Sequence, residues 1–333
     1  MVQNKLMINK LNNIIVVGQG AMGLLWYHHL SQQNISQSDI QNADKNKKVS
    51  LLASNQDSLS NNELETATYQ FTAYQQTQTK AYPLSYSQMV DIELAEVIIL
   101  CLKSFNIATA IKEITNSISP HCIIILAHNG MGTFEHVLSL LPYQQVILAM
   151  LTTHGCLRNA PLAITHTGLG QTDIGLLSGE LSLSQQTQLT SQLNAALPQV
   201  SFHQDIVLKQ WLKLAINCVI NPITAINNIE NGEVNKPKFT EQINALLTEI
   251  TNVSKTENID LVLNDLQVIV RKVAQATAKN SSSMRSDVLA GRSTEVDYIN
   301  GYIHRLGERN NVATPENTRL WQQVLNLKNS SRS

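Results

Sequence analysis

The sequence has little charge for its length. Of 333 residues, 15% are Asp, Glu, Lys or Arg, where soluble domains usually carry about 25%. The 24 basic and 25 acidic residues nearly cancel, which leaves a formal net charge of −1. A chain without a basic excess lacks the electrostatic signature of proteins that bind nucleic acids or anionic membranes. We therefore expect a small-molecule partner, no nucleic acid and no membrane.

Cysteine is scarce as well, and its placement excludes two further classes. The four cysteines stand singly without a C-x-x-C pair, which favours reduced thiols over a disulfide framework or a zinc site. The nine histidines show no H-x-x-x-H spacing, so we expect no metal. No apolar run reaches the roughly 20 residues that span a bilayer, and no secretory leader pattern opens the chain. These absences predict a cytoplasmic location.

What the sequence does have is a glycine motif near its start. The four apolar residues Ile14-Ile15-Val16-Val17 predict a strand buried on both faces. Gly18-Gln19-Gly20-Ala21-Met22-Gly23 follows at once, and a helix is expected from Ala21 to about Gln32. In the G-x-G-x-x-G arrangement the first glycine makes a tight turn, the second admits phosphates and the third lets the helix pack on the strand. The motif predicts a dinucleotide site, with a purely structural turn as the alternative.

Apolar runs and helical stretches alternate through the first half, which predicts a doubly wound parallel sheet. Glycines at 168 and 170 predict a hairpin on the same sheet, and from about Ser182 the periodicity is helical. We predict an α/β protein with a Rossmann-type domain over 1–180 and an all-α domain over 181–330. The polar segment Ser31 to Lys48 is expected to be a mobile surface insertion. The predicted strands are Val49–Ala53, Thr68–Tyr74, Val97–Leu102, Ile123–Ala127 and Val146–Leu151, and the predicted helices of the second domain are Ile206–Ile226, Phe239–Asn258, Asn264–Lys279, Ser293–Asn310 and Pro315–Leu327.

One helix of the second half carries a polar stripe. Lys213, Asn217 and Asn221 recur every four residues, which places them on one helix face among mostly apolar neighbours. Burying such groups is costly unless something hydrogen-bonds them. The stripe is either a solvated face or a face that binds a ligand.

Other polar residues permit both a structural and a functional interpretation. Lys103 and His128 each follow a predicted buried strand, at the sheet edge where such folds bind ligands. Glu295 stands at the start of a predicted helix, where the helix dipole alone stabilises a carboxylate. The serine run that includes Ser283 is typical of a capping loop.

Together these segments resemble the ketopantoate reductase family over nearly the whole chain. The resemblance implies reduction of ketopantoate to (R)-pantoate with NADPH, on the route to pantothenate and coenzyme A. It rests on the segments GQGAMG at Gly18 to Gly23, CLKS at Cys101 to Ser104, HNGMGT at His128 to Thr133, KLAINCVINPITAI at Lys213 to Ile226, NGE at Asn231 to Glu233, SSM at Ser282 to Met284, TEVDYING at Thr294 to Gly301 and PENTRL at Pro315 to Leu320.

The resemblance also implies roles for individual residues. Lys213 would be the general acid and Glu295 its catalytic partner, which also binds substrate or cofactor. Contacts to the substrate or the nicotinamide would come from Asn129, Asn217, Asn221 and Ser283, and Lys103 would line the cofactor cleft together with the glycine loop. The protein would be a monomer or a homodimer.

The sequence departs from the family pattern at one position. The resemblance leads us to expect an arginine after the second strand, where it would bind the 2′-phosphate of NADPH, but Ser54 stands there. The Ser54 hydroxyl or the cluster Lys45-Asn46-Lys47-Lys48 would have to substitute. Two other functions stay open: a reductase of another 2-oxo or β-hydroxy acid, and a catalytically silent NADPH-binding regulator.

Overall fold

The computed structural model describes residues 11–33, 48–53 and 64–330. These residues fall into two compact units. One lies within Met1–His128 and Phe134–Ile206, and the other within Asn129–Thr133 and Val207–Ser333. Most of the predicted polar insertion, and also Ser54, lie outside the described residues.

The first unit is built on a seven-stranded sheet. Its strands are β1 (Asn13–Val17), β2 (Lys48–Leu52), β5 (Val97–Leu100), β6 (Ile123–Leu126), β7 (Ile147–Thr152), β10 (Thr172–Ser178) and β11 (Val200–Phe202). They lie in the order β11-β10-β7-β6-β5-β1-β2. Every neighbouring pair is parallel except β7 and β10.

Both faces of this sheet are covered, as the fold class predicts. Ile14 and Val16 of β1 belong to one hydrophobic core, whereas Ile15 and Val17 belong to another. Since alternate side chains of a strand point to opposite faces, the two cores lie on the two sides of the sheet. The described helices of the unit are α1 (Ala21–Gln32), α2 (Met89–Glu93), α3 (Ser104–Ile114), α4 (Phe134–Leu140) and α5 (Leu183–Ala196).

A second sheet corrects one prediction. We expected residues 163–174 to form a hairpin on the main sheet, but β9 (Ala163–Gly168) belongs to a four-stranded sheet in the order β4-β3-β9-β8. Its other strands are β3 (Thr68–Thr72), β4 (Thr79–Pro83) and β8 (Gly155–Ala160). The chain leaves this sheet at Gly170, where a Cβ would lie 2.4 Å from the carbonyl carbon of Thr153. The glycines therefore mark a crossing between sheets.

The structure also moves the predicted domain boundary at residue 180. Strand β11 pairs in parallel with β10, so it extends the main sheet. Helix α5 is hydrogen-bonded to the segment before β1 through Gln192. The Gln192 side-chain amide accepts a hydrogen bond from Leu11 N (3.1 Å) and donates one to Leu11 O (2.6 Å). Residues 181–206 thus belong to the first unit, because their apolar and polar partners lie there.

The second unit is helical, as predicted. The helix predicted over 293–310 starts later and is interrupted. Residues 293–295 are not helical, a 3-10 turn spans Val296–Tyr298, and Ile299 (φ −112°, ψ −96°) separates this turn from the α-helix that begins at Asn300. The α-helices of the unit are α6 (Ile206–Asn227), α7 (Thr240–Thr256), α8 (Leu263–Ala276), α9 (Ser283–Leu289), α10 (Asn300–Arg309) and α11 (Pro315–Ser330). Among the described helices of the whole chain, none is long and apolar enough to cross a membrane.

Candidate active site

The glycine loop connects β1 to α1, and packing within the protein requires two of its glycines. Gly18 has φ +107°, and a Cβ there would lie 2.7 Å from the carbonyl oxygen of Cys101. A Cβ on Gly23 would lie 1.8 Å from the carbonyl oxygen of Gly18. Side chains at either position would clash with backbone, so both residues hold the strand, the turn and the helix together.

Gly20 differs, because among the described residues, its neighbours in the chain aside, no atom lies within 4 Å of the Cβ it would carry. It is the N-cap of α1, where no side chain caps the helix and the first turn has no acidic residue. A helix N-terminus of this kind presents unpaired N–H groups and a partial positive charge to an anion. The loop formed by Gly18, Gln19, Gly20, Ala21, Met22 and Gly23 therefore fits the pyrophosphate of a dinucleotide.

The carboxyl ends of β5 and β6 lie at the same sheet edge as this loop. Strand β1 lies between β2 and β5, so the strand order reverses at β1, and ligands of open α/β sheets bind beside such a reversal. Lys103 is half-buried at the N-cap of α3, and Ser104 Oγ lies 3.3 Å from Nδ1 of His128 after β6. The structure thus brings Lys103 to the edge that carries the glycine loop.

Asn129 and Glu295, far apart in sequence, meet in the second unit. Asn129 Nδ2 donates to Glu295 Oε2 over 3.4 Å, and only 5% of Glu295 is exposed. The backbone holds the two segments together, since Met131 N donates to the Tyr298 carbonyl (2.8 Å). Gly130 has φ +81°, and a Cβ there would lie 2.3 Å from that carbonyl oxygen. The close approach therefore depends on glycine, and the Tyr298 contact coincides with the interruption of the predicted helix.

The polar stripe of α6 becomes more buried along the helix. Lys213 and Asn217 are half-buried, and Asn221 is 7% exposed. Trp211 and Leu214, on other faces of the helix, belong to the hydrophobic core of the unit. A solvated face would leave the three side chains exposed, so their burial favours the interpretation as a ligand-binding face.

Two neighbouring serines, Ser282 and Ser283, have different environments. Ser282 is the buried N-cap of α9: its Oγ accepts a hydrogen bond from Arg285 N (3.1 Å) and lies 2.7 Å from Thr224 Oγ1 of α6. Ser283, the serine predicted to contact the substrate or the nicotinamide, is exposed at the first position of α9. Ser282 therefore anchors the turn, and Ser283 is left on its surface.

Other residues that support these groups were not predicted. Thr224 and Tyr298 fix the serine turn and the Asn129 segment, and Asn300 contacts α6 directly. A signal was present at Pro222, because a proline inside a helix leaves a carbonyl that needs another donor. Of the basic cluster offered as a substitute for arginine, the structure describes only Lys48, which forms an ion pair with Asp91.

A glycine loop on a mostly parallel sheet, followed by a helical unit with a half-buried to buried polar stripe, defines the class of two-unit dinucleotide-binding proteins. Comparison with family models gives the particular family. The model described as "Ketopantoate reductase PanE/ApbA" matches residues 14–179, and the model of its C-terminal part matches residues 205–328. The chain belongs to the ketopantoate reductase family. Helix α5 and strand β11 lie between the two matched regions.

Relatives with assigned names agree with this family. A 2-dehydropantoate 2-reductase of Vibrio cholerae is 34% identical over 322 residues, which cover 96% of this chain and 98% of the relative. One of Yersinia pestis is 33% identical over 313 residues and 93% of each chain.

Solved structures share the fold. A ternary structure of D-mandelate dehydrogenase with NADH and anilino(oxo)acetate has a TM-score of 0.82 at 20% identity, covering 96% of this chain and 100% of that one. A PanE/ApbA family ketopantoate reductase from Ralstonia eutropha has a TM-score of 0.80 at 21% identity, with the same coverage. At these identities the structures support the architecture alone.

Proposed function

We propose that this protein reduces 2-dehydropantoate, also called ketopantoate, to (R)-pantoate with NADPH, and that it supplies pantothenate and coenzyme A synthesis in the cytoplasm. Family membership and relatives of this name, matched along almost their entire length, support the reaction. The observation that carries the proposal is the match to a 2-dehydropantoate 2-reductase over 96% of this chain and 98% of the relative. Within the second unit, the hydrogen bond from Asn129 to Glu295 supports the proposal, because it brings two of the predicted site residues together.

The first unit would hold the cofactor. A nicotinamide nucleotide supplies a hydride to the keto carbon when bound. The N–H groups at the start of α1 and the open space at Gly20 suit its pyrophosphate, and the NADH of the D-mandelate dehydrogenase structures is a nucleotide of this kind. Lys103, Asn129 and Glu295 would complete the cofactor contacts, and Ser54 would meet the adenosine ribose.

The second unit would hold the substrate and provide the proton. Lys213 would donate a proton to the keto oxygen and offset the negative charge that develops there. Asn217 and Asn221 follow it along the half-buried to buried face of α6, so their amides would hold the substrate beside the ammonium group. Glu295 would orient the substrate hydroxyl, and Ser283 its carboxylate. The protein would act as a monomer or a homodimer.

The direct test is to mix purified protein, NADPH and ketopantoate and to follow the loss of reduced-cofactor absorbance. An aryl 2-oxo acid serves as the parallel substrate, because the D-mandelate dehydrogenase structure shares the fold. We expect turnover of ketopantoate at a much higher kcat/KM than of the aryl acid. Faster turnover of the aryl acid would assign another 2-oxo acid to the site, and NADPH binding without turnover of either acid would indicate a regulator.

A further inference from the structure

Helix α6 has an internal defect next to its polar stripe. Within an α-helix the carbonyl of Cys218 would accept a hydrogen bond from the N–H of residue 222, but residue 222 is proline and has none. Cys218 is fully buried and stands between Asn217 and Asn221. A buried carbonyl without a donor is costly, so its partner is informative.

Asn300 provides the missing donor. Its Nδ2 donates to the Cys218 carbonyl over 3.0 Å and to Asn317 Oδ1 over 3.0 Å, and Asn300 is completely buried. The orientation of the Asn300 amide follows from its two partners. Both are acceptors, and only the NH2 end of the amide can serve them. The Oδ1 of Asn300 is buried without a partner among the described residues, which is a cost that the two donated hydrogen bonds must offset.

Asn300 is itself held by a buried carboxylate. Asn317 Nδ2 donates to Glu249 Oε2 (2.8 Å), which leaves Asn317 Oδ1 as an acceptor for Asn300. The Glu249 carboxylate also accepts from the backbone N–H groups of Glu316 (2.7 Å) and Asn317 (2.9 Å), at the start of α11. The amide that contacts α6 is thus fixed by groups on α7 and α11.

The same side chain lies at the end of the segment that carries Glu295. Asn300 begins α10, directly after the 3-10 turn that follows Glu295. Its bond to Cys218 therefore ties the Glu295 segment to α6 at a residue adjacent to Asn217. We propose that Asn300 is a positioning residue. By its hydrogen bond to the Cys218 carbonyl, which Pro222 leaves without a donor in the helix, it fixes the position of the polar stripe of α6 relative to Glu295. The proposal rests on the function proposed above.

The test separates this role from ordinary stabilisation by means of two variants. Asn300→Ala leaves the Cys218 carbonyl unpartnered, so we expect a lower Tm and a kcat/KM for ketopantoate reduced by about 10- to 100-fold. Pro222→Ala added to Asn300→Ala restores an N–H within the helix. The double variant should regain much of the lost Tm because α6 now satisfies its own carbonyl. Its kcat/KM should stay low because the tie to the Glu295 segment is still missing.

Asn310→Ala is the matched control. Asn310 follows the other end of α10, and its Nδ2 donates to Thr256 Oγ1 (2.8 Å) and Glu257 Oε1 (2.6 Å), away from α6. We expect this variant to lose stability and to keep its kcat/KM.

Three outcomes overturn an assignment, and they are distinguishable. A wild-type protein that does not turn over ketopantoate refutes the proposed function itself. An active wild type with an Asn300→Ala variant as active as Asn310→Ala refutes the positioning role alone. Recovery of kcat/KM together with Tm in the double variant would mean that Asn300 merely stabilises the helix.

Discussion

The groups that we propose to be functional have different chemical forms in the two units. The first presents backbone N–H groups at Gly20, where the absence of a side chain is the essential feature. The second presents side chains of α6, whose position depends on buried amides such as Asn300. A side chain added to a binding site made of backbone groups should impair binding. A site made of side chains should instead lose function when a side chain, or a residue that positions it, is removed.

Removing the predicted acid should have the largest effect and should affect the second unit alone. A general acid typically contributes about 10²- to 10⁴-fold to the rate, so Lys213→Ala should lower kcat by roughly that factor. NADPH affinity should be unchanged, because the predicted phosphate contacts lie on the glycine loop. Steady-state kinetics and calorimetry provide the two measurements, and Lys255→Ala, an exposed lysine of α7, is the control. A Lys213→Ala enzyme with normal kcat would refute the assignment.

Adding atoms to the glycine loop should affect the first unit alone, and each position should respond differently. Gly20→Leu should weaken NADPH binding by about tenfold or more at nearly unchanged Tm, since the side chain would occupy open space at the helix N-terminus. Gly23→Ala should instead lower the Tm, because its Cβ has no room beside Gly18. Calorimetric titration and thermal unfolding separate these results. Equal Tm losses in both variants would show that Gly20 serves packing only.

Cofactor choice should respond to a change of one residue. We expect NADPH to be preferred over NADH, by less than an arginine at position 54 would give, because a guanidinium binds phosphate in a bidentate manner. Ser54→Arg should therefore raise the ratio of the two kcat/KM values. Equal kcat/KM values for the two cofactors in the wild type would contradict the preference, and an unchanged ratio in the variant would exclude position 54 from the ribose site.

Acid should weaken the first unit through its buried histidines. Burial lowers the pKa of His28 from 6.5 to about 3 and that of His29 to about 4, and neighbouring histidines, His166 among them, add to both shifts. Below pH 6.5 these histidines are protonated in the unfolded chain but stay neutral in the folded one. Their contribution to the free energy of unfolding is therefore fully present above pH 6.5 and is lost as the pH falls towards 4. The slope is about 1.4 kcal/mol per pH unit for each histidine.

Denaturant unfolding between pH 7 and pH 5 measures this slope. His29→Gln should flatten it, and His304→Gln, in the second unit, is the control. A slope that His29→Gln leaves unchanged would assign the acid sensitivity to other groups.

The sequence predicts features that depend on neighbouring residues better than features that depend on distant contacts. Helix α1 spans the predicted residues, and its start is determined locally by the β-branched run and the glycines that precede it. The membership of β9 in a second sheet was not predictable, because alternation of side chains does not record which strand is the neighbour. The interruption at Ile299 was missed for a similar reason: it coincides with a contact from Met131, more than 160 residues earlier. The stripe on α6 was visible in its spacing, but its support by Asn300 was not.

The segment Asn129–Thr133 has a consequence for exchanging parts between relatives. It packs within the helical unit, although the chain returns to the first unit for Phe134–Ile206 before the helices begin. A chimaera joined only at Val207 would combine one parent's helices with the other parent's Asn129 and Gly130. A functional hybrid should therefore need three junctions, at 128/129, 133/134 and 206/207. The five-residue segment should be inherited together with the residues from Glu295 to Tyr302 that it contacts.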